Sequence, residues 1–395
     1  MSELTMRVIT ETKEFELMRE PWDKTLARSS DNNIYLTWEW LFTWWKHYGG
    51  DKKLNIVAIE DENKIIGIVP LMQSKYGKSF LKFDVLENIC SVDCDYSGII
   101  LTEKKEDSLD TFIRYLKEIV SIENVIVRIS QIAENSDFLS LLRKKYPSFV
   151  QFMILNERIM TSCPYLSLPK TWDEYLLSLH RKRRKNLRRA LQSLKKNHDV
   201  ELKKYNSNEN LKEQMQVLFE LHQKRWETKN LSSRFSHQEE RELCIDVSTI
   251  FSQNGWLDLS FLTVDDKVAS AVWGFKYNRE FYYMTPTFDP DYSDYSIGNL
   301  HVMLLIEDLI NDGIRIFDFL KGDELYKRYW TRSSKNNVQV VLMKKTFAAD
   351  VRLRLFYKFM RLNEISKRSL LENYRLFQDV RKEHKAMKLM ARAGE

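Results

Sequence analysis

Apolar and polar positions along the chain switch between a period of two and a period of about 3.6, and the switches mark the elements. Met6 to Thr10 reads as a short strand. Trp38, Leu41, Phe42 and Trp45 recur at helical spacing behind Thr37, which predicts a capped helix from Trp38 to Tyr48. Two apolar runs, Leu54 to Ile59 and Lys64 to Leu71, flank the turn Glu60-Asp61-Glu62-Asn63 and read as a hairpin. Strands follow at Phe80 to Leu86, Gly98 to Leu101 and Val125 to Ile129, with helices at Glu106 to Val120 and Asp137 to Lys145.

The theme recurs further along. Leu257 to Val264, the turn Asp265-Asp266 and Lys267 to Phe275 repeat the first hairpin, with Lys267 in the place of Lys64. Around it the pattern predicts a strand (Asp199 to Tyr205), helices (Asn208 to Trp226, Ser236 to Phe251) and a third meander strand (Glu280 to Thr285). Then come a helix (Asn299 to Asn311), a strand (Ile314 to Phe319), a short helix (Asp323 to Tyr329) and a last strand (Val338 to Lys344). Between the halves, Thr171 to Asn197 reads as one helix. Thr171 and Glu174 form a capping box, and Leu176, Leu179, Leu187, Leu191 and Leu194 form its apolar stripe. A tail from Phe347 to Glu395, free of Gly and Pro until Gly394, has helical periodicity. The pattern as a whole is mixed α/β (α+β), organised as residues 1–165, 166–346 with the helix at 171–197, and 347–395.

Composition narrows the class. Apolar residues are 43% and charged residues 30% of 395, a globular balance. No run reaches the roughly 18 apolar residues of a membrane span, and the N-terminus lacks the apolar stretch of a signal peptide. Both point to a cytoplasmic protein. Cys90, Cys94, Cys163 and Cys244 form no C-x-x-C pair, so reduced, buried thiols are expected. The seven histidines are scattered, so no metal is expected. No G-x-G-x-x-G and no G-x-x-x-x-G-K-[ST] occurs. Charge then locates two special segments. Arg181 to Lys196 holds nine Lys or Arg and no acid. The net +6 of the chain equals the surplus of residues 348–395, where 12 basic residues meet 6 acidic ones.

Four stretches carry a resemblance. They are Trp38-Glu39-Trp40-Leu41 with Trp44-Trp45; Leu179-His180-Arg181-Lys182-Arg183-Arg184-Lys185-Asn186-Leu187-Arg188-Arg189; Leu221-His222-Gln223-Lys224-Arg225-Trp226; and Phe317-Asp318-Phe319-Leu320-Lys321-Gly322-Asp323-Glu324-Leu325-Tyr326-Lys327-Arg328-Tyr329-Trp330. Together with the element order, they resemble the two-domain GNAT acyltransferases of the CelD-like group, related to the FemAB peptidyltransferases. The resemblance covers residues 5 to 345. It implies tandem GNAT-like domains and transfer of an acyl group to an amine or hydroxyl, in envelope polysaccharide or lipid biosynthesis. Acyl-CoA, or an acyl carrier protein, would be the donor, held between splayed strands at Glu280 to Thr285 and Ile314 to Phe319. The diphosphate would sit at Ser296, Ile297, Gly298 and Asn299, with Tyr283 on the splayed strand. The run Tyr295-Ser296-Ile297-Gly298-Asn299-Leu300 keeps only the central glycine of the usual Q/R-x-x-G-x-G/A loop. That departure leaves open a FemAB-like aminoacyl-tRNA donor, or a non-catalytic anion-binding or assembly module on the same fold.

Acyl transfer needs a base, a stabilised oxyanion and a proton for the leaving group. Lys327, in the matching motif, is the foremost catalytic candidate, against the reading of a surface lysine. Tyr326 is a proton donor by chemistry. Asp318 is a base or orienting group, or else a turn-capping carboxylate, and Asp323 is the expected cap of the short helix. His222 shares a helix face with Trp226 and is either catalytic or a packing residue. Arg183 and Arg184, with Trp226 and Trp330, are substrate or anion contacts, or part of a solvated basic face. Nucleic acid other than tRNA is not expected as a partner. The basic tail suits an acidic carrier protein or a membrane surface, which would make the protein peripheral to a membrane.

Overall fold

The structure is a computed structural model and describes residues 4–78, 81–91, 93–123, 125–146, 153–344, 351 and 353–360. Its first half runs β1 (Thr5–Ile9), α1 (Thr12–Leu17), α2 (Arg19–Leu26), α3 (Trp38–Tyr48), β2 (Lys53–Asp61), β3 (Lys64–Lys78), β4 (Leu81–Asn88), β5 (Ile100–Leu101), α4 (Lys105–Glu123), β6 (Ile126–Ala133), α5 (Asp137–Lys145) and β7 (Met153–Ser167). The second runs α6 (Trp172–Ser178), α7 (Arg181–Asn197), β8 (Val200–Lys204), α8 (Leu211–Glu227), α9 (Gln238–Gln253), β9 (Leu257–Val264), β10 (Lys267–Tyr277), β11 (Glu280–Phe288), α10 (Ile297–Asn311), β12 (Ile316–Asp318), α11 (Leu325–Trp330) and β13 (Ser334–Lys344).

One sheet carries both halves, in the order β1-β2-β3-β4-β6-β13-β7-β12-β11-β10-β9-β8, with β5 on β3. Its ladders are antiparallel except at two places, β4 with β6 and β11 with β12. Each parallel pair closes a meander of three strands and is joined by a crossover helix, α4 or α10, as a parallel connection requires. The repeated hairpin seen in the sequence is thus the centre of a repeated strand-helices-meander-helix-strand unit. The last strand, β13, lies between β6 and β7. β7 pairs with β13 along most of its length and with β12 through Tyr165, Leu166 and Ser167, so it runs from one half into the other.

The cores follow this layout. Thr37 Oγ1 accepts from Trp40 N at 3.3 Å, capping α3 where the sequence places the cap. The tryptophans of α3 are buried, as their spacing predicts. Trp40 lies 6.0 Å from Phe251 of α9 and 5.9 Å from Phe275 of β10, centroid to centroid. A second core lies between α10, the α6–α7 pair and β10–β12.

Several expectations are corrected. The helix predicted from Thr171 to Asn197 is two helices, because Leu179 and His180 are extended. An unbroken helix would put His180 and Arg183 on the leucine face; the break interrupts that face, and His180 Nδ1 accepts from Lys182 N at 3.4 Å to start α7. The capping box is offset, since Glu174 reaches Lys170 N at 3.1 Å rather than the threonine amide. Asp323 does not cap α11. It binds Arg328, and the N-cap position is Glu324, which makes no side-chain cap bond. Cys90 and Cys94 are paired rather than both reduced, because a tight turn at Cys90 (φ +64°) brings them together under the Trp40 indole. Cys163 and Cys244 are buried free thiols. The 15-residue strand β7 was missed. Of the tail, residues 353–360 are helical, with Leu353 and Phe356 packed on Phe83, Val85, Ile126 and Met343. The rest of the helical reading of 347–395 lies outside the described residues.

Candidate functional site: a cleft at the split between two parallel strands

β11 and β12 pair only through Glu280–Ile316, Phe281–Phe317 and Tyr282–Asp318. Beyond Asp318 the chain turns away. Leu320 is left-handed (φ +61°), held by its amide donating to Asp318 Oδ1 at 2.8 Å. β11 continues to Phe288 paired only with β10, its other edge open, and the gap is a cleft of about 300 Å3. Tyr283, Pro286, Thr287 and Phe288 line one wall, and Ser296, Ile297, Gly298, Asn299 and Val302 of α10 and its cap another. Arg225 and Tyr326 complete it, with Ser270 and Ser293.

The α10 entrance is built with care. Asp289 accepts from Asp291 N at 3.0 Å, and Lys224 bridges both carboxylates, which fixes the turn before the helix. Ser296 takes a left-handed conformation (φ +53°) and makes no side-chain cap, so α10 begins directly at the cleft. First-turn amides of a helix have no acceptor four residues back within it, and the helix dipole makes that end favourable to negative charge. Gly298 matters for space. A Cβ there would meet only Phe288 Cδ1 at 3.5 Å, so a methyl fits, but a longer side chain would occupy the cleft.

Charge and proton state follow from the walls. The Arg225 guanidinium lies 4.1 Å over the Phe288 ring and donates to Pro286 O at 3.3 Å. Tyr283 is buried between Phe317 and Phe319, at 5.2 and 5.7 Å, and burial raises its hydroxyl pKa although Arg225 works the other way. Although 39% of Tyr326 is exposed, desolvation of its hydroxyl, then Tyr283 and Glu324, hold that hydroxyl well above the usual tyrosine range, so both tyrosines are neutral hydrogen-bond donors at neutral pH. Behind the cleft, Ser270 Oγ donates to Thr287 O at 2.9 Å and meets His301 Nδ1 at 2.9 Å, whose Nε2 meets Ser260 Oγ at 3.0 Å. Burial, then Lys204, push the His301 pKa down to about 3, so this ladder is neutral.

Residues 181–328, which contain every cleft residue, match the family model of the acetyltransferase (GNAT) domain. The chain carries a GNAT-type acetyltransferase domain. Three solved structures share the wider fold: FemX (12% identity, TM-score 0.59, 85% of this chain and 96% of that one), a conserved protein of unknown function from Bacteroides thetaiotaomicron (13%, 0.53, 86% and 100%), and the C-terminal domain of a putative lysylphosphatidylglycerol synthetase from Agrobacterium fabrum (11%, 0.51, 88% and 95%). At such identities the likeness concerns the fold. No curated protein sequence matches. By its domain the protein is an acyltransferase.

In this GNAT-type domain the sequence candidates fall into three groups. Tyr283, Ser296, Ile297, Gly298, Asn299 and Tyr326 come together in the cleft. Lys327 and Asp318 stand behind it. Lys327 is buried rather than a surface lysine: its ammonium donates to Leu320 O at 3.2 Å and Lys321 O at 2.8 Å and pairs with Glu324 at 2.9 Å. Asp318 is fully buried, accepting from Tyr96 Oη at 2.7 Å and pairing with Lys335 at 2.8 Å, so it joins the halves as well as holding the Leu320 turn. The third group lies apart from the cleft lining. His222 is buried, bonded to Ser233 Oγ at 2.8 Å and stacked on Trp226 at 5.5 Å. Burial first, then Arg234, Arg225 and Lys229, push its pKa down to about 3, which leaves it a neutral packing histidine. Arg183 stacks over Tyr329 and the buried Trp330, at 4.1 and 4.6 Å, and Arg184 Nη1 donates to Leu176 O at 3.1 Å. Among the described residues no cluster suits a metal ion.

Sequence reasoning missed Arg225, Ser270, Thr287 and Phe288. Arg225 had a signal, since it stands one turn after His222 in the quoted stretch and shares its helix face. The other three, Ser270 on β10 and Thr287 and Phe288 at the end of β11, come to the cleft only because β12 stops pairing at Asp318.

Proposed function

We propose that the protein transfers an acyl group from a thioester donor held in the β11–β12 cleft to an amine or hydroxyl acceptor. The observation that carries this reading is the split of β11 from β12 with the start of α10 at its mouth. An extended donor arm can lie along the unpaired β11 edge from Tyr283 to Phe288, taking backbone hydrogen bonds. Its anionic end falls on the Ile297 and Gly298 amides at the start of α10, Asn299 N being bonded to Ser296 O at 2.9 Å, with Arg225 adding positive charge. The donor carbonyl then lies near Tyr283 and Tyr326. The acceptor nitrogen or oxygen attacks that carbonyl and loses a proton, the C–S bond breaks, and the thiolate takes a proton. In this reading Tyr326, neutral and partly exposed, donates a hydrogen bond to the departing sulfur. Lys327 serves this scheme by clamping the Leu320 and Lys321 carbonyls, which sets where α11 presents Tyr326.

Acyl-CoA is the donor this cleft fits best. A FemAB-like aminoacyl-tRNA donor is the second reading, favoured by the incomplete glycine pattern of Tyr295 to Leu300. The test is thiol release on incubating the full chain with acyl-CoAs of rising length and a panel of amines and alcohols. Saturable, acceptor-dependent release supports the first reading. No release with any acyl-CoA, with transfer from a charged tRNA, supports the second.

A further inference from the structure

The arginine pair at the start of α7 divides in its duties. Arg184 is engaged, donating to Leu176 O. Arg183 is not. Its guanidinium lies 4.1 Å over the Tyr329 ring and 4.6 Å over that of Trp330. Its Nε and Nη2 are shut off from solvent, yet among the described residues neither has a hydrogen-bond partner. The Tyr175 hydroxyl and the Trp330 indole N–H, on side chains 1% and 2% exposed, are buried and unpartnered as well. These groups share one place. Trp330 is in ring contact with Arg183, while burial raises the Tyr175 hydroxyl, lowers the Arg183 guanidinium, and each group opposes the other's shift. Tyr329 also eases the burial of Arg183, but no carboxylate does. Other buried cations have their acceptors: Arg128 has Glu87, and Lys327 has Glu324 and two carbonyls. Buried N–H groups left unmet are costly, so four unmet polar atoms together call for a partner.

We propose that Arg183, Tyr175 and Trp330 receive a carboxylate of the acyl acceptor, which makes that acceptor an amino or hydroxy acid; its role as acceptor rests on the acyl-transfer reading. Nε, Nη2 and the indole N–H can only donate, so the missing partner is an acceptor of hydrogen bonds. Nε–H and Nη2–H form one edge of the planar guanidinium, a fork that matches the two oxygens of a carboxylate. The indole N–H and the Tyr175 hydroxyl serve the remaining lone pairs, with the Tyr175 ring held by stacking on Trp172 at 5.4 Å. One cation offsets one negative charge, and a phosphate dianion would stay half unpaired. Position supports an acceptor. Tyr326, Tyr329 and Trp330 are neighbours on α11, so the cluster lies about one helical turn from Tyr326 at the cleft. A carboxylate on Arg183 leaves the amine or hydroxyl of the same molecule to reach the donor carbonyl. Arg183 is half-buried and Tyr329 is 38% exposed, so the site opens to solvent beside the Tyr329 ring.

The test pairs each straight-chain ω-amino carboxylate, from glycine to aminohexanoate, with its neutral carboxamide. Two variants accompany the unaltered full chain. Arg183→Met keeps a long apolar stem against Tyr329 and Trp330 and removes the fork, and Tyr175→Phe removes only the hydroxyl. Calorimetric titration without a donor reads the cluster alone. The expected result is saturable binding of a carboxylate and not of its carboxamide, weakened by roughly tenfold or more in Arg183→Met. Tyr175→Phe should weaken it less, without lowering the melting temperature, because the hydroxyl has no partner to lose. With acyl-CoA present, the same carboxylate should be acylated, and Arg183→Met should raise its KM with little change in kcat. Carboxylates that bind no better than their carboxamides overturn the proposal, as does carboxylate binding that both variants retain in full. Carboxylate binding that depends on Arg183, with no thiol release from any acyl-CoA, keeps the receptor and overturns the transfer reading instead.

Discussion

His222 is a catalytic candidate in the sequence, and its surroundings make it the opposite; buried His301 is a second case of the same kind. Each is buried with hydroxyl partners, and each pKa is depressed from 6.5 to about 3. Below pH 6.5 the unfolded chain binds a proton that the folded chain refuses, so stability is lost as pH falls from about 6.5 toward about 3. The slope is about 1.4 kcal/mol per pH unit for each histidine. Urea unfolding at pH 5 should show a loss of about 2 kcal/mol per histidine relative to pH 7, and His222→Gln should flatten its share of that dependence. Lys327 is the reverse case. Its residue type and motif were legible, but its burial was not, because the carbonyls it clamps come from a left-handed turn that no sequence period marks. Lys327→Ala should cost about 1–3 kcal/mol in chemical denaturation and reduce turnover together, as Tyr326 loses its support.

Elements with one strong signal were readable. α3 has its threonine cap and tryptophan spacing, and the β2–β3 and β9–β10 hairpins have acidic turns whose central residues, Glu62-Asn63 and Asp265-Asp266, take positive φ. Elements defined by tertiary company were not. β7 is polar at Asn156, Glu157 and Arg158 and resembles no isolated strand, yet it is fixed between β13 and β12. The α6–α7 break is quieter, since the leucine stripe resumes after it and only His180 and Arg183 on that face mark the interruption. The cleft was legible as residues of a motif at Ser296 to Asn299, but its far wall on β11 depends on where pairing with β12 stops.

At the scale of the molecule, β13 ties the chain's last described strand into the first half. A chain ending at residue 333 exposes β6 and the long edge of β7 and removes Asn337 and Lys335 from the seam, leaving Asp95 O and the buried Asp318 without them. It should lose cooperative unfolding and become protease-sensitive in both halves, which limited proteolysis can follow. The continuous sheet also holds the cleft rigidly, with the Asp318–Tyr96 and Asp318–Lys335 contacts joining the halves directly behind it. The central claim is that the β11–β12 cleft holds the donor. Gly298 has no positive φ and ample room at its Cβ, so Gly298→Leu should leave the fold intact while filling the cleft. Calorimetric titration of acyl-CoA into the unaltered protein and into Gly298→Leu is the deciding measurement. Saturable binding in the first, weakened by roughly tenfold or more in the second at an unchanged melting temperature, is the predicted result. Equal binding by both proteins would contradict it.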